Sequence, residues 1–193
     1  VSWSQIPHVT SQDEADITEL ERFRERHKGE IEEQGGRLTP TVLAMKAVVA
    51  ALKQHPRFNA SLDPASEEII LKHYYHLGIA VDTDRGLLVP VIRDVDRKSI
   101  TELSIELYET VQRTREGEAS LDELQGGTFT ITNIGILGGT AFFPIINFPE
   151  VAILGMAKAR WQPVVRRNGE GAFETEPRYV LPLMLAFDHR VVD

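Results

Sequence analysis

The chain has 193 residues, 42% hydrophobic and 26% charged, with a formal net charge of −8 and no cysteine. That length suits one domain with a sizeable core, and the composition is ordinary for a globular protein, which sets disordered and fibrous classes aside. Lys and Arg are spread rather than clustered, so no electrostatic footprint for nucleic acid appears, and the missing cysteines exclude disulfides, thiolate metal sites and a cysteine nucleophile.

In chain order, Val1-Ser2-Trp3 opens without Met and Asp193 closes directly after Val191-Val192, so both ends read as cut from a longer sequence. The first helical signal begins near Asp16. Thr18 and Glu21 have the spacing of a capping box, and Ile17, Leu20, Phe23 and Ile31 form an apolar stripe beside a charged face that runs to Gly35-Gly36. Thr39-Pro40 supplies a cap and a first-turn proline to a second helix, almost wholly apolar from Val42 to Leu52 and ending before Pro56. From Glu68 the pattern turns to β-rich runs: Ile69 to Leu71, Tyr74 to Val81 and Leu87 to Ile92, the last two joined around Asp82 to Gly86. Pro90 predicts an edge or a bulge. Ser99 and Glu102 announce a third helix, with Leu103, Leu107 and Val111 on one face and an end near Gly117. Strands follow at Thr128 to Thr132, Val151 to Met156 and Tyr179 to Phe187, with a turn at Asn168-Gly169. Neither a repeat nor a linker divides the chain, and no apolar run approaches the roughly 18 residues of a membrane span. The mixed order of elements predicts an α/β fold, helices on a mixed sheet, and not a doubly wound nucleotide fold.

Two segments carry chemistry. Leu181 to Phe187 is an apolar strand that breaks into Asp188-His189-Arg190, three ionisable residues at the end of a core element. Buried charges must pair, so this is either a structural knot, with Asp188 or Asp193 paired to Arg190 and His189 a bystander, or a site whose histidine moves protons. The second segment runs from Gly126 through Thr128-Phe129-Thr130-Ile131-Thr132 to Asn133 and Gly135, with Gly138-Gly139 beyond. It reads as a half-buried strand with a glycine-rich turn, or as a strand whose terminal hydroxyl donates to an oxyanion. Its glycines lack the spacing of a phosphate loop. His8 either lines a site or caps a strand, and His27 lies on the charged helix face. His55, His73 and His76 lack metal spacing, since His73 and His76 fall on opposite faces of an expected strand; no metal is expected. No G-x-S-x-G elbow supports a serine hydrolase.

Asp188-His189-Arg190-Val191-Val192-Asp193 resembles the D-H-R-x-x-D-G motif of dihydrolipoamide acyltransferases, the core components of 2-oxoacid dehydrogenase complexes. The likeness continues through Gly126 to Gly135, Pro144-Ile145-Ile146-Asn147, Pro149 to Gly155, Gly86 to Ile92, Ile6 to Thr10 and Phe58-Asn59-Ala60-Ser61, nearly the whole chain. It implies one catalytic core domain over residues 1–193, truncated at both ends and without lipoyl or peripheral-subunit-binding domains. The implied fold is a two-layer sandwich with a mixed sheet, similar to chloramphenicol acetyltransferase. Coenzyme A and the lipoyl group are the implied substrates, without a metal. Implied partners are two further copies in a homotrimer that builds a cubic or dodecahedral core, lipoyl domains, and the decarboxylase and dihydrolipoamide dehydrogenase components, with no nucleic acid or membrane. By this resemblance His189 is the general base and Thr132, where many members have serine, donates to the oxyanion from a neighbouring subunit. Asp193 supports the histidine, and Asp188, Arg190 and Asn133 hold the site together. Similarity of Ile6 to Thr10 and Ala157-Lys158-Ala159 to bacterial pyruvate-type members points to acetyl transfer and to a bacterial cytoplasm rather than a mitochondrial matrix. The rival readings are a non-catalytic scaffold core and a free-standing acetyltransferase acting on a small hydroxyl compound.

Overall fold

The computed structural model describes residues 2–135, 137–169 and 171–193. Val1, part of the opening tripeptide, lies outside the described residues, as do Ile136 and Glu170. A single helical turn, α1 (Ser2–Gln5), leads into β1 (His8–Asp16). This strand was not expected, because Thr10 to Glu14 shows no apolar alternation. It needs none, since it lies at the edge of the main sheet, paired only with the last strand.

α2 (Thr18–Glu33) follows. The capping box expected of Thr18 and Glu21 does not form: Ile17 occupies the N-cap without a side-chain bond, and Thr18 is already helical. The Asp16 carboxylate instead accepts from the Thr18 amide at 3.1 Å and hydroxyl at 2.6 Å. The Thr18 oxygen in turn accepts from the Tyr179 amide at 2.8 Å. Thr18 therefore ties the helix to the sheet rather than to its own first turn. α3 (Pro40–Gln54) has the expected cap, with Thr39 accepting from the Val42 amide, and is buried through Val42, Met45, Val49 and Leu52. Its one interior charge, Lys46, donates to the carbonyls of Val95 and Lys98 at 3.2 and 2.8 Å, so the ammonium is satisfied where the helix is packed.

A short 3-10 turn at Pro56–Phe58 precedes β2 (Ala60–Asp63) and β3 (Glu68–Leu71), which pair only with each other. The expected strand from Tyr74 starts later: β4 (Leu77–Ile79) enters the main sheet, and the chain then leaves it for a small ribbon of β5 (Val81–Thr83) and β6 (Gly86–Leu88). β7 (Val91–Ile92) returns as the other edge of the main sheet. The switch occurs at Pro90, which has no amide to give the ladder but accepts from the Ile79 amide at 2.9 Å.

α4 (Ile100–Glu116) is built as its sequence reads, with a reciprocal Ser99–Glu102 capping box and Gly117 in the left-handed region at φ 79°. β8 (Phe129–Asn133), β9 (Ala152–Met156), β10 (Arg160–Arg167) and the long β11 (Phe173–Asp188) complete the fold. β10 was also not expected, as its arginines obscure the alternation; only the loop after it, at Asn168, was read. The main sheet runs β1-β11-β9-β8-β4-β7, with β10 paired to the first half of β11. β4 with β8 and β8 with β9 are parallel and the other pairs antiparallel, giving the expected mixed sheet. α2, α3 and α4 cover one face, where Leu38, Met45, Leu77, Leu103, Ile131 and Met156 are fully buried. The opposite face carries a smaller cluster of Ile6, Ile146, Ile153 and Ala186.

Candidate active site

β11 carries the chain into the site. Asp188 is its last residue, anchored by its amide to the carbonyl of Val151, just before β9, at 2.9 Å. The Asp188 carbonyl then accepts from the amides of both Val191 and Val192, which folds residues 188–192 into a tight turn. Its side chain is buried, and Arg190 closes on it from Nε and Nη2, the latter at 2.6 Å, with the Arg190 amide adding a third donor. The hydrogen-bonded Asp188 carboxylate holds the guanidinium above its ordinary range, and the buried acid has its partner in the same turn. The pair fixes the turn and leaves His189 on its outside.

His189 is half exposed. Its amide donates to the Pro7 carbonyl at 3.1 Å, and Nδ1 lies 2.9 Å from the Val192 carbonyl. A carbonyl only accepts, so the proton sits on Nδ1 and Nε2 carries the free lone pair directed away from the turn. This is the tautomer a general base needs, and a backbone carbonyl sets it. Asp193 Oδ1 stands 4.0 Å from Nδ1 on an almost fully exposed side chain, beyond hydrogen-bond reach.

Thr132 and Asn133 lie elsewhere. Thr132 pairs with Gly155 of β9, and Gly155 with Met184 of β11. His189 is five residues beyond Met184, about 17 Å further along the strand and two strands across, so the two sites are roughly 20 Å apart. One chain cannot bring His189 and Thr132 to the same reacting carbonyl. No described residue hydrogen-bonds the Thr132 hydroxyl. Asn133 ends β8: its Nδ2 donates to the Thr41 hydroxyl at 3.1 Å, and its Oδ1 accepts from the Gly135 amide at 2.8 Å, which pins the following loop to the start of α3. An open groove lined by Thr18, Arg22, Arg26 and Trp161 holds neither His189 nor Thr132.

Of the other histidines, His8 begins β1, where Nε2 accepts from the Ile146 amide at 3.1 Å and Nδ1 donates to the Ile6 carbonyl. His73 and His76 precede β4 instead of lying within a strand, and Nδ1 of His76 accepts from the Asp94 amide. Among the described residues no cluster of three potential metal ligands forms.

Three features near the site were not singled out from the sequence. The Val192 carbonyl could not be, because a backbone acceptor leaves no residue signal. Glu150 lies in a quoted motif yet stands out only in three dimensions: it is buried, accepts from the Thr130 hydroxyl at 2.6 Å, and fills the space left by Gly127 just before β8. Burial pushes its carboxyl up to about 7. Phe142 is the third, its ring lying over Gly155.

Residues 1–193 match the acyltransferase catalytic domain of the 2-oxoacid dehydrogenases. The chain is 49% identical over 194 residues to the dihydrolipoyllysine-residue acetyltransferase component of the Haemophilus influenzae pyruvate dehydrogenase complex, covering all of this chain and 33% of that protein. It therefore spans about a third of the length of the curated relatives it matches. Among solved structures it is similar, at TM-score 0.93 and 50% identity, to the Azotobacter vinelandii dihydrolipoamide acetyltransferase, in which a serine, a histidine and an asparagine have been investigated for their catalytic role. That match covers all of this chain and 77% of the other. A second structure, the cubic core of a pyruvate dehydrogenase multienzyme complex, matches at TM-score 0.93 and 49% identity with the same coverage. Chloramphenicol acetyltransferase matches in fold, at TM-score 0.61 and 17% identity, over 98% of this chain and 82% of that one.

Proposed function

The chain belongs to the 2-oxoacid dehydrogenase acyltransferase family, and from that premise we propose that it transfers an acyl group, acetyl by preference, between coenzyme A and a dihydrolipoyl thiol. The observation that carries this reading is the imidazole of His189, locked by the Val192 carbonyl with a bare Nε2 facing outward at the end of the Asp188–Arg190 turn.

A thiol with a reference pKa near 8.5 is only slightly ionised at neutral pH, so a base that removes its proton supplies the nucleophile. Nε2 of His189 takes the proton from the attacking thiol. The thiolate adds to the thioester carbonyl, whose oxygen becomes an oxyanion. The Thr132 hydroxyl, contributed by an adjacent copy of the chain, donates a hydrogen bond to that oxyanion. Collapse of the intermediate expels the second sulfur as a thiolate, and the imidazolium returns the proton to it. The roughly 20 Å separation of His189 and Thr132 within one chain supports a site shared between copies. We assign residues 1–193 to one catalytic core domain and its oligomer to a trimer, the unit of a larger core; the cubic core built by a similar protein supports this. The same reading makes lipoyl domains and the decarboxylase and dihydrolipoamide dehydrogenase components its partners, and the cytoplasm of a bacterium its place, as its bacterial relatives suggest.

Asp193 follows His189 by four residues, as the asparagine follows the histidine in the Azotobacter relative. Its carboxylate stands 4.0 Å from Nδ1, at the edge of the turn that carries the imidazole. The direct test is acetyl transfer from acetyl-coenzyme A to dihydrolipoamide by the full-length protein. Replacing His189 by Ala is expected to lower kcat by about 10² to 10⁴, the usual worth of a positioned base, with KM little changed. Undiminished transfer by His189→Ala rules out this mechanism.

A further inference from the structure

Side chains alternate across a strand, so residues paired between neighbouring strands share a face. Ile153 packs with Ile146 and Ala186 on the face away from the helices, whereas Ala152 and Met156 belong to the helical core. Thr130 and Thr132, paired with Ile153 and Gly155, therefore project onto the face opposite the helices. At the Thr132 row the next strand carries no side chain, because residue 155 is glycine. A Cβ built there meets the Phe142 ring at once, with Cζ at 2.6 Å and the two Cε atoms at 3.1 and 3.2 Å. The half-buried Phe142 ring thus occupies the position a side chain of residue 155 would take. It stands one strand spacing, about 4.8 Å, from the row of Thr132.

Thr132 accordingly presents a hydroxyl with no partner among the described residues, next to an aromatic wall. An acyl oxygen accepting from that hydroxyl at about 2.8 Å brings the acyl carbons beyond its carbonyl to the ring. We propose that Phe142 sets the size and polarity of the acyl group, admitting acetyl and disfavouring branched and succinyl chains. A branched chain must displace the ring or give up the hydrogen bond to Thr132. A succinyl carboxylate, set against an apolar ring, loses hydration without gaining a partner. This inference rests on the assignment of Thr132 as the oxyanion donor, and it identifies a specificity residue in a loop that the sequence reading passes over.

The test uses the full-length protein, wild type and as Phe142→Leu and Phe142→Ala, with kcat/KM measured for acetyl-, isobutyryl- and succinyl-coenzyme A against dihydrolipoamide. In Phe142→Ala the isobutyryl-to-acetyl ratio is expected to rise at least about tenfold, the lower end of what one methylene-sized change in a pocket achieves. Phe142→Leu, which keeps most of the bulk, is expected to fall between the other two; if the alanine variant fails to fold, the leucine variant decides. An unchanged ratio in the variants that fold, or an equal loss of transfer from all three donors, overturns the role of Phe142. A wild-type protein that moves no acyl group overturns the proposed function instead, which separates the two failures.

Discussion

Glu150 is a buried carboxyl whose neighbours are the Thr130 hydroxyl, the Asn147 amide and, at longer range, the half-buried Lys72, itself held below its ordinary range by burial. Its pKa rises from an ordinary 4.5 to about 7, chiefly because burial penalises the charged form. The folded chain therefore holds a proton that the unfolded chain releases at 4.5. The stability this contributes is full below pH 4.5 and is lost as pH rises to about 7. Glu150→Gln keeps the shape and stays neutral, so relative to wild type it is expected to gain roughly 3 kcal/mol between pH 4.5 and 8, at about 1.4 kcal/mol per unit. Urea denaturation across that range reads the difference, and a gap independent of pH refutes the assignment. Residue types at the candidate site were legible to different degrees. The row of charges at Asp188, His189 and Arg190 is conspicuous at the end of an apolar strand. Glu150 and Phe142 are not, because a single Glu or Phe in a loop has no local feature that reveals what it packs against.

At the scale of elements, local chemistry was read correctly where it acts within one segment. Ser99 and Glu102 close a capping box because both partners lie in the same turn. Ser99→Ala is expected to cost about 1 kcal/mol, measured as a lower denaturation midpoint with an unchanged slope; no loss means the cap is redundant. The identical spacing of Thr18 and Glu21 misleads, because Asp16 and the Tyr179 amide of β11 compete for the Thr18 hydroxyl and win. β1 and β10 were missed for a related reason. Their order comes from pairing with β11, and an edge strand facing solvent need not alternate. The broken hairpin of β4 to β7 was read as two strands, since the run of apolar residues does not show that Pro90 divides it between two sheets.

At the scale of the molecule, the proposed roles of His189 and Thr132, set against the distance between them, require a complete site to draw on two chains. A mixture of His189→Ala and Thr132→Ala proteins, dissociated and reassembled, is then expected to regain activity, because some interfaces pair an intact histidine with an intact threonine. Random pairing across a heterologous interface restores about one quarter of the sites. Activity no higher than the average of the separate variants rules out a shared site. By itself the sequence determined the three long helices with the caps of α3 and α4, the mixed α/β class, the family through its ordered motifs, and the residue types able to move a proton and donate to an oxyanion. Those depend on neighbours along the chain, on pattern and on side-chain chemistry. Only the tertiary structure decided that the imidazole is held by the Val192 carbonyl, that Thr18 anchors rather than caps, that Phe142 lies over Gly155, and that His189 and Thr132 stand at opposite ends of the sheet. Each of these depends on strand register and on contacts between segments remote in sequence, which local physical chemistry does not specify.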